Sequence, residues 1–166
     1  MTDLSLALSP LGPNDLPAVE KLDERAFGPG RFALTAYRLR EGVAPDVGLS
    51  FAARVGTLLV GANRITHILA GGAPALLLGP LTVDPPFRSR GIGEALMQRS
   101  LEAAKKAGHK LVVLVGDEPY YKRAGFKRVP FGRLTMPGPV DPARVLYCEL
   151  EPGAFEGLKG PITKVA

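Results

Sequence analysis

The residues with the clearest chemical reading are Arg88-Ser89-Arg90-Gly91-Ile92-Gly93, placed where an apolar run gives way to a helical pattern. The first turn of a helix carries unpaired N–H groups and the positive end of the helix dipole, which suits a phosphate. Glycines let the backbone close on the anion, and Arg88 and Arg90 add charge. The same six residues would also serve simply to turn the chain into a helix, and local pattern weighs the two readings evenly. Two other phosphate motifs fail. A Walker loop ends in G-K-[ST], which does not follow these glycines. A dinucleotide fingerprint needs Gly or Ala at its sixth position, and counting from Gly91 that position is Leu96.

Other reactive side chains are few. His67 and His109 leave little material for a histidine-based metal centre, and the single Cys148 excludes a disulfide framework or an all-cysteine zinc site. No metal is expected. Cys148 alternates with Leu146 and Leu150, the pattern of a core strand rather than a nucleophile. His109 follows Gly108 and reads as a turn residue. Lys105, Lys106 and Lys110 read as a solvated face.

The chain has 166 residues, 46% of them hydrophobic and 22% charged, which fits one globular domain over 1–166. No apolar run approaches the ~18 residues of a membrane-spanning helix. The N-terminus lacks a basic start followed by a long apolar stretch, so it does not read as a secretory signal. With one cysteine, this predicts a reducing, cytoplasmic compartment. The net charge of +5 favours an anionic ligand or partner without saying which.

These residues need elements to position them. Leu4–Leu8 alternates like a strand. Asp15 is an N-cap for a helix from Leu16 to about Phe27, with Leu16, Val19, Leu22 and Ala26 on one face. A second short helix is expected over Arg31–Arg40, burying Phe32, Ala36 and Leu39. Leu49–Val55 and Thr57–Ile68 flank Gly56 as a hairpin, and Ala75–Val83 is a further strand. Pro80 cannot donate to a ladder, so it marks a bulge or edge where pairing fails, leaving backbone groups for a ligand. The clearest helix runs from Gly91 to Ala107, acidic early and basic late, and Gly108 closes it. A buried strand Leu111–Val115, a short helix near Pro119–Ala124, a strand near Lys127–Val129 and a last strand Ala143–Leu150 complete the order. The expected fold class is mixed α/β (α+β), a central mixed sheet with helices on both faces.

L-G-P-L-T-V-D-P-P-F-R-S-R-G-I-G-E-A-L-M, Leu78–Met97, resembles the acetyl-CoA-binding segment of the GCN5-related N-acetyltransferase superfamily. Its [Q/R]-x-x-G-x-[G/A] pattern is met by Arg88, Gly91 and Gly93. Downstream, G-D-E-P-Y-Y-K-R-A-G-F resembles a bacterial subgroup with a G-D-x-x-Y-Y-x-x-x-G-F segment, and the E-L-E-P-G-A-F-E-G-L-K-G tail is similar to that subgroup too. The resemblance implies an acyl-CoA N-acyltransferase fold with a splayed strand, and acetyl-CoA as cosubstrate. It places Leu81, Thr82 and Val83 on that strand, with the backbone of Leu81 and Val83 holding the pantetheine arm. It places the pyrophosphate on the N–H groups of Arg88, Ser89, Arg90, Gly91, Ile92, Gly93 and Glu94. Tyr121, four residues before Gly125, falls where the family often has its general-acid tyrosine. Ring packing is the competing role for Tyr121, and Tyr120 is expected to point elsewhere, about 100° around a helix. Leu114 stands where many members have an asparagine.

The implied activity is direct acetyl transfer to a primary amine on a small molecule or peptide. The base stays open among His67, Asp117, Glu118 and water. One rival is a non-catalytic acyl-CoA sensor, which would tolerate loss of Tyr121. Another is a basic nucleic-acid-binding domain, against which the dispersed Lys and Arg residues count. No membrane partner is expected. Pro80 and the loop from Phe131 to Pro142 read as unpaired sheet margins, predicting a homodimer.

Overall fold

The computed structural model describes residues 6–27 and 35–165. Its strands are β1 (Leu6–Pro10), β2 (Phe51–Val55), β3 (Leu58–Ala70), β4 (Ala73–Val83), β5 (Leu111–Val115), β6 (Lys127–Arg128), β7 (Leu134–Thr135), β8 (Val145–Glu149) and β9 (Gly160–Lys164). Its helices are α1 (Leu16–Phe27), α2 (Thr35–Arg40), α3 (Ile92–Lys106) and α4 (Glu118–Tyr121), the last running into a 3-10 turn at Lys122–Ala124. Residues 31–34 of the expected second helix, with Phe32, and residues 4–5 of the first strand lie outside the described residues.

The strands form a mixed sheet in the order β1-β2-β3-β4-β5-β8-β6. β4 and β5 are parallel and every other pair on that path is antiparallel. Beyond the reach of β2, β9 pairs with the end of β3 from Ile68 to Ala70, and β7 runs beside β9.

Period-two alternation sends side chains to two cores. On one face Ile65, Leu76, Leu78, Val112, Leu114 and Leu146 pack on Met97, Leu101 and Ala104 of α3. On the other, Ile68, Leu77, Val113 and Val145 meet Leu39 of α2 and Met136, Phe155 and Ile162. Val19 and Leu22 of α1 pack on Ala52 and Ala62.

One expectation needs correction. Pro80 lies inside β4, a central strand, so the unpaired edge it marks faces the gap toward β5 and not the outside of the sheet. β3 steps from Asn63 to Ile65 while β4 steps from Leu81 to Leu78, so β4 holds one extra residue there, a bulge. The loop from Phe131 contributes β7, which pairs with β9 on one side and leaves its other edge unpaired. β7 and β9 escape sequence reading because one has two residues and the other carries Pro161 and Gly160 beside a single buried Ile162.

Candidate active site

β4 and β5 share only two paired positions, Leu76↔Val112 and Leu77↔Val113, and then part at the bulge. From Leu78 onward β4 presents a free edge to the gap. The N–H of Asp84 bonds the carbonyl of Val60 on β3 at 2.8 Å, so by alternation Thr82 also faces β3. The main-chain groups of Leu81 and Val83 therefore turn into the gap. Thr82 cannot offer its hydroxyl there, because Oγ1 donates to Asp23 Oδ1 at 2.7 Å.

The turn that follows is built from left-handed backbone at Ser89 (φ 63°) and Gly91 (φ 78°), Gly91 being the N-cap of α3. Among the described residues, the backbone N–H groups of Ser89 to Glu94 have no acceptor, while Ala95 N–H bonds Gly91. This is the anion-ready start of a helix. Arg88 folds back so that Nε donates to the Val83 carbonyl at 3.2 Å, and the Arg90 guanidinium lies 5.5 Å over the Phe87 ring. Glu94 accepts from Arg123 at 3.0 Å. Gly61 lets α3 lie close to the sheet, since a Cβ there would stand 3.1 Å from Leu96 and 3.2 Å from Ile92.

The two tyrosines diverge, their rings at 86° with centroids 4.9 Å apart. Tyr120 sends its hydroxyl into the space a Cβ on Gly93 would need, and so reaches the turn before α3, a contact sequence reading misses. Tyr121 lays its ring edge over Gly116 and meets Phe126 edge-on at 6.0 Å. Burial, with the charges of Tyr120 and Asp117 behind it, pushes the Tyr121 phenol up to about 12. Burial and Glu94 also raise the Tyr120 phenol. Leu114 is buried in the α3 core and offers the site nothing polar.

Both tyrosines, Leu81, Gly116 and Asp117 line a cavity of about 690 Å³ that continues past the gap to α1 and α2. Its far wall carries charge that sequence reading also misses. Asp23 is buried; it pairs with Arg64, which also bonds Glu20 at 3.2 Å. Burial holds the Asp23 carboxyl above its ordinary value against the pull of Arg64 and Thr82. Arg40, the last residue of α2, comes within 3.0 Å of where a Cβ on Gly79 would stand. Burial, then the like charge of Arg64, lowers the Arg40 guanidinium to about 10, which leaves it protonated at neutral pH. The overlooked signal was Asp23 itself: it follows Val19 by four residues, on the apolar stripe of α1.

Of the candidate bases, Asp117 lines the cavity and pairs with Arg144 at 3.5 Å. Glu118 pairs with Arg128 at 3.0 Å outside it. His67 meets Asp46 at 2.7 Å and neither lines the cavity. With His109 these two bring ligand-capable atoms within 4.8 Å of one another, a proximity that their separation in sequence conceals.

Residues 48–128 match the family model described as an acetyltransferase (GNAT) domain. That segment, just under half of the chain, is a GNAT acetyltransferase domain. It is 26% identical over 150 residues to the uncharacterised N-acetyltransferase YhbS of Escherichia coli, covering 89% of each chain. A shorter match, 50% identical over 62 residues, joins 32% of this chain to an uncharacterised N-acetyltransferase of Methanocaldococcus jannaschii. It spans only 27% of that relative. In fold, the chain is similar to the crystal structure of Escherichia coli YhbS in complex with CoA, at a TM-score of 0.83 and 22% identity over 99% of this chain and 92% of that one. A Brucella melitensis GNAT family acetyltransferase in complex with acetyl-CoA follows at 0.73 and 23%, covering 99% and 98%.

Proposed function

We propose that the protein is an acetyl-CoA-dependent N-acetyltransferase that passes the acetyl group directly to a primary amine. The observation that carries this is the meeting of three features. An unpartnered N–H turn and an open β4 edge adjoin one cavity that extends beyond the transfer point. The turn from Arg88 to Glu94 takes the pyrophosphate, and Tyr120 closes over it from α4. Leu81 and Val83 hold the pantetheine arm as an added strand.

The acceptor nitrogen attacks the thioester carbonyl carbon, and the C–S bond breaks. Tyr121 gives its proton to the departing sulfur and regains one from solvent. The surplus proton of the amine leaves through Asp117 to solvent. A non-catalytic sensor would need no cavity past the thioester. For a nucleic-acid binder the arginines are poorly disposed, with Arg25, Arg54, Arg64, Arg123, Arg128 and Arg144 all in ion pairs.

No described helix is long and apolar enough to cross a membrane. A cytoplasmic setting fits the free Cys148, and a homodimer could pair through the outer edge of β1, β6 or β7.

Thiol release from acetyl-CoA across amines, polyamines, peptides and antibiotics tests the activity. Gly91→Val tests the cradle, since a β-branched residue is strained at a φ of 78° and the turn must relax. Calorimetry should show acetyl-CoA binding lost in a protein that remains folded; wild-type affinity there would remove the cradle.

A further inference from the structure

We infer that the acceptor is a primary amine that also carries a carboxylate within a few bonds of its nitrogen, and that Arg40 is the residue that reads it. This rests on the acetyl-transfer reading above and specifies its substrate.

The cavity wall holds three guanidinium groups, and two of them are neutralised within the protein. Arg64 is paired by Asp23 and Glu20, and Arg144 by Asp117. Arg40 is different. Among the described residues its side chain has no ion pair and no hydrogen bond. Its Nε, like that of Arg64, is enclosed without an acceptor, but unlike Arg64 it has no paired terminal nitrogen and feels Asp23 only through space. A cation surrounded by protein normally has its donors met, because leaving them unmet costs the full desolvation of the group. The fork of five donors is therefore placed for an anion from outside, and its planar shape matches a carboxylate.

Location sets which part of the reaction it serves. Arg40 lines the cavity and reaches the β4 bulge at Gly79, two residues before Leu81. At about 3.3 Å per strand residue, that is roughly 6–7 Å along the strand from Leu81, where the pantetheine arm would be held. Arg40 and Tyr121, the proposed acid, line the same cavity, near enough for their charges to act on one another. Asp117, at the Gly116 end of the cavity, faces the amine with the opposite sign. A molecule with its nitrogen toward Asp117 and its carboxylate on Arg40 spans the transfer point. A polyamine would bring a second cation against Arg40.

The probes are β-alanine and its neutral amide, β-alaninamide, each measured in two ways. Initial rates of thiol release give the ratio of kcat/KM for the acid over the amide, and calorimetry in the presence of CoA gives binding without turnover. Wild type should favour the acid at least about tenfold in both. Arg40→Gln should bring the ratio near one, and Arg40→Lys should restore part of it, with thermal melts confirming folding. Equal use or binding of acid and amide by wild type would overturn the assignment. So would a ratio unchanged in Arg40→Gln, or a variant that loses both probes equally, the result expected if Arg40 served the thioester oxygen instead. Acid-selective binding that vanishes in Arg40→Gln without any thiol release would uphold this site and sink the transferase reading. Thiol release without acid preference would do the reverse.

Discussion

The Tyr121 phenol, raised to about 12 by burial, holds its proton across the whole neutral range and can still donate to a departing thiolate. A general acid typically contributes about 10²–10⁴-fold. Tyr121→Phe should therefore lower kcat by that order while acetyl-CoA affinity, read by calorimetry, barely moves. A raised pKa keeps the acid form present up to the folded value and loses it only above, so wild-type kcat should show no fall below about pH 10. A descending limb near neutrality, or full turnover in Tyr121→Phe when chemistry is rate-limiting, would leave Tyr121 a packing residue. Tyr120→Phe should act on the other observable. Its hydroxyl stands at the phosphate turn, so the expected loss is in acetyl-CoA affinity rather than in kcat.

At the scale of elements, the site is the product of two close approaches. α3 can bring its N-terminus to the end of β4 because Gly61 has no side chain to hold it off. Gly61→Val would force Leu96 and Ile92 outward, at about 1–3 kcal/mol of overpacking. Urea denaturation should read that loss, and calorimetry a parallel drop in acetyl-CoA affinity as the turn shifts. On the opposite face, Asp23 ties α1 to Arg64 of β3 and Thr82 of β4. Asp23→Ala leaves a half-buried guanidinium with Glu20 alone, and a loss of about 3 kcal/mol is expected in the same urea measurement. An unchanged midpoint would mean that α1 is held by Val19 and Leu22 without the charge pair.

For the whole molecule, β9 completes the sheet where β2 leaves β3, and its Ile162 joins the core with Phe155 and Met136. Ile162→Ala should cost about 2–5 kcal/mol on unfolding while acetyl-CoA affinity stays near wild type, because the phosphate turn lies at the other end of β4. Light scattering at micromolar concentration decides assembly: a mass near 17.6 kDa would remove the homodimer.

Local chemistry was legible in the linear chain. The glycines and arginines before α3, the amphipathic stripe of that helix, the apolar strands and the break at Pro80 depend on neighbours within a turn or two. The backbone therefore responds to them whatever the rest of the chain does. Tertiary structure alone decided which charges would meet. Asp23, Arg40, Arg64 and Thr82 are separated by up to dozens of residues, and even Asp23, set on the apolar stripe of α1, does not name its partners in its own segment. Asp46, His67 and His109 are the same case on the opposite face. The short strands β7 and β9 also needed the finished sheet, because too little of either is apolar to specify a strand unaided. Main-chain pairing with an edge already in place supplies what their side chains do not.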